Sequence, residues 1–313
     1  MSSVEQRRRK GPAPQTNLLE EWLTPEDMAY LKKASFPVTQ RVRGMQTGVH
    51  RARLRGGTTE FAEHRSYSPG DEVRRLDWRI VGRSDRLEIK LYDDPSTLET
   101  VFLVDASGSM SFAESTRSKY HFAQAVVAFL AKTILQERDP VGLLIAGDEA
   151  PGLLWPKTSS TQLSHILQTL YRTPASGETR VAESLRQLGK CLRNPTRVIV
   201  VSDALLDLQT LEPELAFLTG RKHRFHLIQT LAPEEITFDY QNPFRFVSLE
   251  SKEYLDANPQ EMAEAYRAAV EDHVELLRKI CLSNRAGYEP LVTDQPVGFA
   301  LTKFIERQSR VKK

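Results

Sequence analysis

Thr100-Val-Phe-Leu-Val104-Asp105-Ala106-Ser107-Gly108-Ser109 decides how the rest of the chain is read. An apolar run with no polar interruption marks a strand covered on both faces, because a half-exposed strand would alternate. The run stops at Asp105, and the next four residues put two hydroxyls, Ser107 and Ser109, on a tight loop that Gly108 eases. In an open parallel sheet, ligands bind beyond the carboxyl ends of the strands, near the point where strand order reverses. A D-x-S-x-S loop at such a strand end therefore sits where chemistry is expected.

Working outward, runs of the same character recur at 141–146, 198–201, 225–231, 244–249 and, more weakly, 289–293. Between them lie stretches of helical pattern at 120–136, 161–171, 179–192, 260–282 and 297–307. Strands alternating with helices require right-handed crossovers, which predicts an α/β domain with a doubly wound, mostly parallel, Rossmann-like sheet over 98–313. Upstream the character differs. Residues 1–17 are polar, basic and Pro-containing and read as a flexible tail. Thr24-Pro25-Glu26 reads as a helix start running to about 33. Residues 40–90 hold twelve Lys or Arg against seven Asp or Glu, together with Gly44, Gly48, Gly56, Gly57 and Gly70. Ser68-Pro69-Gly70-Asp71 suits a type II turn, and Leu87, Ile89 and Leu91 alternate with polar neighbours. Residues 18–97 are thus expected to form an N-terminal helix and a small basic β-rich module.

Two further groups belong with the first loop. Gly177-Glu178-Thr179 precedes a helix and offers a third hydroxyl, and Asp203 follows the strand at 198–201. Asp105, Ser107, Ser109, Thr179 and Asp203 all come from loops at one end of the sheet. Such an oxygen set suits Mg²⁺, which takes six oxygens at about 2.0–2.1 Å and keeps several waters; the competing reading is a hydroxyl-rich loop that only caps the next helix. The set resembles the metal-ion-dependent adhesion site of von Willebrand factor type A domains. That resemblance implies that Ser107 and Ser109 coordinate Mg²⁺ or another divalent cation directly, Thr179 directly or through water, and the two aspartates largely through water. It also implies a vacant position for an Asp or Glu carboxylate from a partner protein.

A second motif lies before the domain: Arg65-x-Tyr67-x-x-Gly70-Asp71, then Arg74, then Asp77-Trp78-Arg79, then Arg83. It closely resembles the signature of the domain of unknown function 58 family. The resemblance implies a MoxR-type AAA+ ATPase as partner and a chaperone-like role in assembly or maturation of a client. From the residues alone, the alternating Asp and Arg form either a recognition surface or a salt-bridge network locking the module, and the pairing of Arg forks with carboxylates favours the second.

Composition narrows the alternatives. Forty-three Lys and Arg against forty-one Asp and Glu leave a net charge of +2, too little for chain-wide attraction to nucleic acid or anionic lipid. The longest apolar stretch, within 125–131, is short of the roughly 20 residues that span a bilayer. The Arg-rich start lacks the apolar core of a signal peptide, so a cytoplasmic protein with no membrane span is expected. Cys191 and Cys281 read as small core residues, and the seven histidines show no metal spacing. There is no phosphate-binding Gly-rich loop, and no His or Lys is recognisable as an acid or base beside the D-x-S-x-S loop. The expectation is a non-catalytic Mg²⁺-dependent adaptor with no catalytic residue. Two alternatives stand beside it: a metal-dependent hydrolase or phosphatase, and nucleic-acid binding through the basic residues 41–90.

Overall fold

The computed structural model describes residues 18–34, 60–66, 80, 82, 87–93, 98–112, 117–148, 150–240, 244–247, 249, 254–257 and 259–310. The chain divides into two compact units, one of residues 1–37 with 98–311, the other of residues 38–97. In the smaller unit, β1 (Glu60–Ser66) and β2 (Glu88–Asp93) pair antiparallel from Ser66↔Glu88 to Glu60↔Asp93, with a register shift at Phe61/Glu63. Arg65 lies in β1. The other signature positions, Tyr67, Gly70, Asp71, Arg74, Asp77, Trp78, Arg79 and Arg83, and the turn expected at 68–71, fall outside the described residues.

The larger unit opens with α1 (Leu18–Trp22) and α2 (Pro25–Lys33). Thr24 caps α2 as its sequence suggests: its hydroxyl accepts from Asp27 N, and the Asp27 carboxylate returns a bond to Thr24 N. These helices were expected with the β-rich module. Instead, Leu18, Leu19, Trp22, Leu23 and Leu31 are buried in the core of the α/β unit, because a short apolar helix pair has no other surface on which to bury that face.

Next come β3 (Glu99–Asp105), a short 3₁₀ turn (Gly108–Ser111), α3 (Lys119–Gln136), β4 (Val141–Ala146), β5 (Leu154–Lys157), α4 (Gln162–Arg172), α5 (Val181–Cys191), β6 (Thr196–Ser202) and α6 (Leu208–Gly220). The chain continues through β7 (Arg224–Leu231), α7 (Pro233–Thr237), β8 (Phe244–Val247), β9 (Tyr254–Ala257), α8 (Pro259–Ser283), β10 (Gly287–Val292) and α9 (Val297–Arg310). Six strands form one sheet in the order β10-β7-β6-β3-β4-β5, parallel throughout except for the edge strand β5. Successive residues of β3 feed opposite layers: Phe102 and Val104 join the core under α3 and α9, while Val101 and Leu103 join the core under α5, α6 and α8. Fourteen of the eighteen residues of α3 are buried, as a helix apolar all round requires.

The run at 244–249 is not a core strand. Among the described residues β8 pairs only with β9, in a separate antiparallel sheet. Phe244, Arg245 and Phe246 already alternate, a period that belongs to a two-stranded ribbon rather than to a doubly covered strand. Cys281 is buried as expected, but Cys191 is exposed at the end of α5. Among the described residues, no helix is long and apolar enough to cross a membrane.

Candidate functional site

Strand order reverses between β3 and β6, so the loops leaving these two neighbours diverge to opposite faces and open a crevice at their carboxyl ends. Asp105 ends β3, and Asp203 follows β6 directly. Main-chain hydrogen bonds close three loops around this point. Ala106 N donates to Ala146 O at 2.8 Å, Ser176 N donates to Ala106 O at 2.8 Å, and Gly108 N donates to Gly177 O at 2.8 Å. Both glycines are dictated by space. A side chain on Gly108 would collide with the main-chain carbonyl of Leu249, and Gly177 holds a left-handed φ of 78° against the Asp148 carboxylate.

The hydroxyls expected to act together do meet. Ser107 Oγ and Ser109 Oγ are 3.1 Å apart, and Thr179 donates to Asp105 Oδ2 at 3.2 Å. Asp105 also accepts from Ser107 N at 3.0 Å and from Ser202 Oγ at 2.7 Å. Asp105, Ser107, Ser202 and Asp203 are buried, whereas Ser109 and Thr179 are half-exposed, so the cluster opens to solvent on its hydroxyl side. Burial, joined by repulsion from Asp203, pushes the Asp105 carboxyl up to about 6 despite its hydrogen bonds.

Asp203 is reached differently. It does not bond to the three hydroxyls in this arrangement; its Oδ1 accepts from Leu205 N at 3.2 Å, and its Oδ2 takes a 2.7 Å bond from Lys119 Nζ. The residue after it, Ala204, sits in the left-handed region at φ 56°, and its carbonyl bonds the His273 ring at 2.9 Å. Lys119 is 1% exposed and also donates to Glu235 Oε1 at 2.6 Å. Burial alone would lower its pKa, but the carboxylates of Asp203 and Glu235 outweigh burial and raise it. Sequence reasoning found no lysine beside this loop. Lys119 lies in the first turn of α3, where a cation opposes the helix dipole, and that misfit is the signal that could have found it. Ser202 and Glu235 were missed as well; only their fold neighbours reveal them.

The donor set can be tested against a hard divalent ion. Adjacent ligands of an octahedral ion with bonds of about 2.05 Å lie about 2.9 Å apart, and the two serine oxygens are 3.1 Å apart. Every donor is oxygen; two carboxylates, Asp203 and Glu235, share the one ammonium of Lys119, and Asp105 accepts from the neutral groups Ser107 N, Thr179 and Ser202, so negative charge is left for a cation to balance. Among the described residues, no group of three or more His, Cys, Asp or Glu side chains offers another kind of metal site.

Sheet order, the antiparallel edge strand and the crevice at β3 and β6 make this a doubly wound α/β domain with a mostly parallel sheet. The chain belongs to the family described as Protein of unknown function DUF58, whose model matches residues 63–276. Among relatives, an uncharacterized protein of Mycobacterium tuberculosis is 27% identical over 216 residues, covering 68% of this chain and 67% of that protein. The magnesium-chelatase 67 kDa subunit of Chlorobaculum tepidum is 34% identical over 107 residues, 34% of this chain and 16% of that protein. Among solved structures, BatB from Bacteroides thetaiotaomicron is similar at 14% identity and TM-score 0.44, covering 68% of this chain and 99% of that one. A von Willebrand factor type A protein from Catenulispora acidiphila follows at 14% identity and TM-score 0.40, with 71% and 43% covered.

Proposed function

We propose that this chain is a non-catalytic protein-binding adaptor that holds Mg²⁺ through Ser107, Ser109 and Thr179, with Asp105 and Asp203 behind them, and grips an acidic side chain of a partner. The observation that carries this reading is the meeting of Ser107, Ser109, Thr179 and Asp105 within hydrogen-bond distance at the open end of the sheet. Neutral hydroxyls as ligands leave a bound ion electrophilic, and with Ser109 and Thr179 half-exposed the ion would supply positive charge that attracts a carboxylate from solvent. The chain's own residues supply position. Asp105 orients Ser107 and Thr179 by accepting from both, and the main-chain bonds between loops keep the hydroxyls together before any ion arrives.

An adaptor is favoured over a hydrolase by the state of Lys119. Pinned between two carboxylates and raised in pKa, it stays protonated and is no general base. Similarity to a protein named as one subunit of a magnesium chelatase supports work inside an assembly, and a MoxR-type AAA+ ATPase is the partner that the family resemblance suggests. The test is capture from native lysate in Mg²⁺ and in EDTA, using wild type, Asp105→Ala and Thr179→Ala. An AAA+ ATPase retained only in Mg²⁺ and only by wild type is expected. Equal capture by either variant would refute the reading.

A further inference from the structure

We propose that Lys119 is a built-in counter-cation of the candidate metal centre, which competes with a divalent ion for Asp203 and so sets how tightly that ion is held. The inference rests on the metal-dependent reading above and goes beyond it, since Lys119 and Glu235 are no part of the D-x-S-x-S, Thr and Asp set.

Lys119 is 1% exposed, and its ammonium is shared by Asp203 Oδ2 at 2.7 Å and Glu235 Oε1 at 2.6 Å. As a purely structural choice this placement is poor. A buried ion pair seldom outperforms a packed apolar side chain of the same volume, and here the cation also sits at the positive end of α3. A balancing charge for Asp203 explains it. Asp105 and Asp203 leave the ends of the paired neighbours β3 and β6 and are both buried, so with no ion present two buried carboxylates would share one crevice uncompensated. Lys119 relieves that repulsion from within the chain.

A divalent ion arriving at the hydroxyls would meet Asp203 already engaged and a positive charge beside it, both of which weaken its binding. Glu235 gives the ammonium a second place to rest. It is itself fixed, because its other oxygen accepts from Ala232 N at 2.8 Å at the start of α7. Were an ion held there, Asp203 would be shared with it, and Glu235 would keep Lys119 paired. The metal centre is then linked to the segment that follows β7.

Calorimetric titration of the full chain with Mn²⁺ and Mg²⁺ decides the matter, on wild type, Lys119→Met, Lys119→Gln and, as a blank, Asp105→Ala. Lys119→Met keeps the length and removes the charge, whereas Lys119→Gln removes the charge but keeps a donor for Asp203 or Glu235, so the pair separates loss of charge from loss of the hydrogen bond. We expect both to bind the ions about tenfold or more tighter than wild type, to melt at lower temperature without metal, and to regain that loss when metal is added. Affinity equal to or weaker than that of wild type overturns the role of Lys119 and leaves the metal reading standing. Absence of binding by wild type and both variants overturns the two together.

Discussion

At the scale of single residues, the part of the site that lies on one loop was legible, and the part that required the fold was not. Asp105, Ser107 and Ser109 sit within five positions of one another, and Thr179 announced itself by preceding a helix. Ser202, Lys119 and Glu235 are spread over 117 positions and meet only because β6, α3 and α7 converge. Gly177 carries a prediction of its own. With φ at 78° and the Asp148 carboxylate against its Cα, Gly177→Ala should lower unfolding free energy by about 1–3 kcal/mol in urea titration and slacken the Gly108–Gly177 bond. His226 carries another. Burial, then the guanidinium groups of Arg197 and Arg224, push its imidazole down to about 3 from 6.5. Between those values the unfolded chain binds a proton that the folded chain refuses, so this contribution to stability is present above pH 6.5 and is lost as pH falls toward 3. His226→Phe should therefore unfold with a shallower acid-side slope, by at most about 1.4 kcal/mol per pH unit between pH 6 and 4. Chemical denaturation at stepped pH measures it, and parallel slopes for the two proteins would count against the assignment.

Among the elements, strongly patterned or clearly capped ones were readable, and those interrupted by proline were not. β3, β4, β6, β7 and β10, with α3, α4, α5, α8 and α9, all fall where apolar periodicity predicts them. β5 escaped because four residues, Leu154–Lys157, with Pro156 among them, do not look like a strand; an edge position tolerates that proline. α6 escaped because Pro213 interrupts it, although Asp207 caps its start by accepting from Gln209 N at 2.9 Å. The joint between α2 and α9 is the element contact most open to experiment. Asp27 is fully buried and accepts from Thr24 N, from the Thr24 hydroxyl and, at 2.7 Å, from Gly298 N in the first turn of α9. Asp27→Ala strands the Gly298 N–H in the interior and removes the carboxylate half of the α2 capping box, a loss of roughly 2–4 kcal/mol. Urea unfolding should report it, accompanied by faster amide exchange over residues 297–305; a change below about 0.5 kcal/mol would show that α9 is held by packing alone.

For the whole molecule, two connections exceed the sheet itself. The first is the N-terminal pair α1 and α2, whose five buried apolar side chains complete the core beside α3. Removing residues 1–34 uncovers that surface, at about 1.5–3 kcal/mol for each large side chain, and should yield protein that melts at least about 10 °C lower or aggregates. Differential scanning calorimetry with light scattering would check this, and an unchanged melting point would mean that the pair is ornamental. The second is Arg117, two residues before Lys119, which donates to Thr293 O at 3.3 Å and to Gln295 O at 2.9 Å, spanning from the start of α3 to the turn before α9. Arg117→Ala should leave ion affinity within about threefold while loosening that turn, as seen by amide exchange at 293–297. The main-chain ties among the three loops have a different consequence, for redesign. Because amide and carbonyl groups tie the three loops together, a carboxylate installed at the half-exposed position 109 would make the proposed seat more anionic and suit it to larger ions such as Ca²⁺ while those ties are kept.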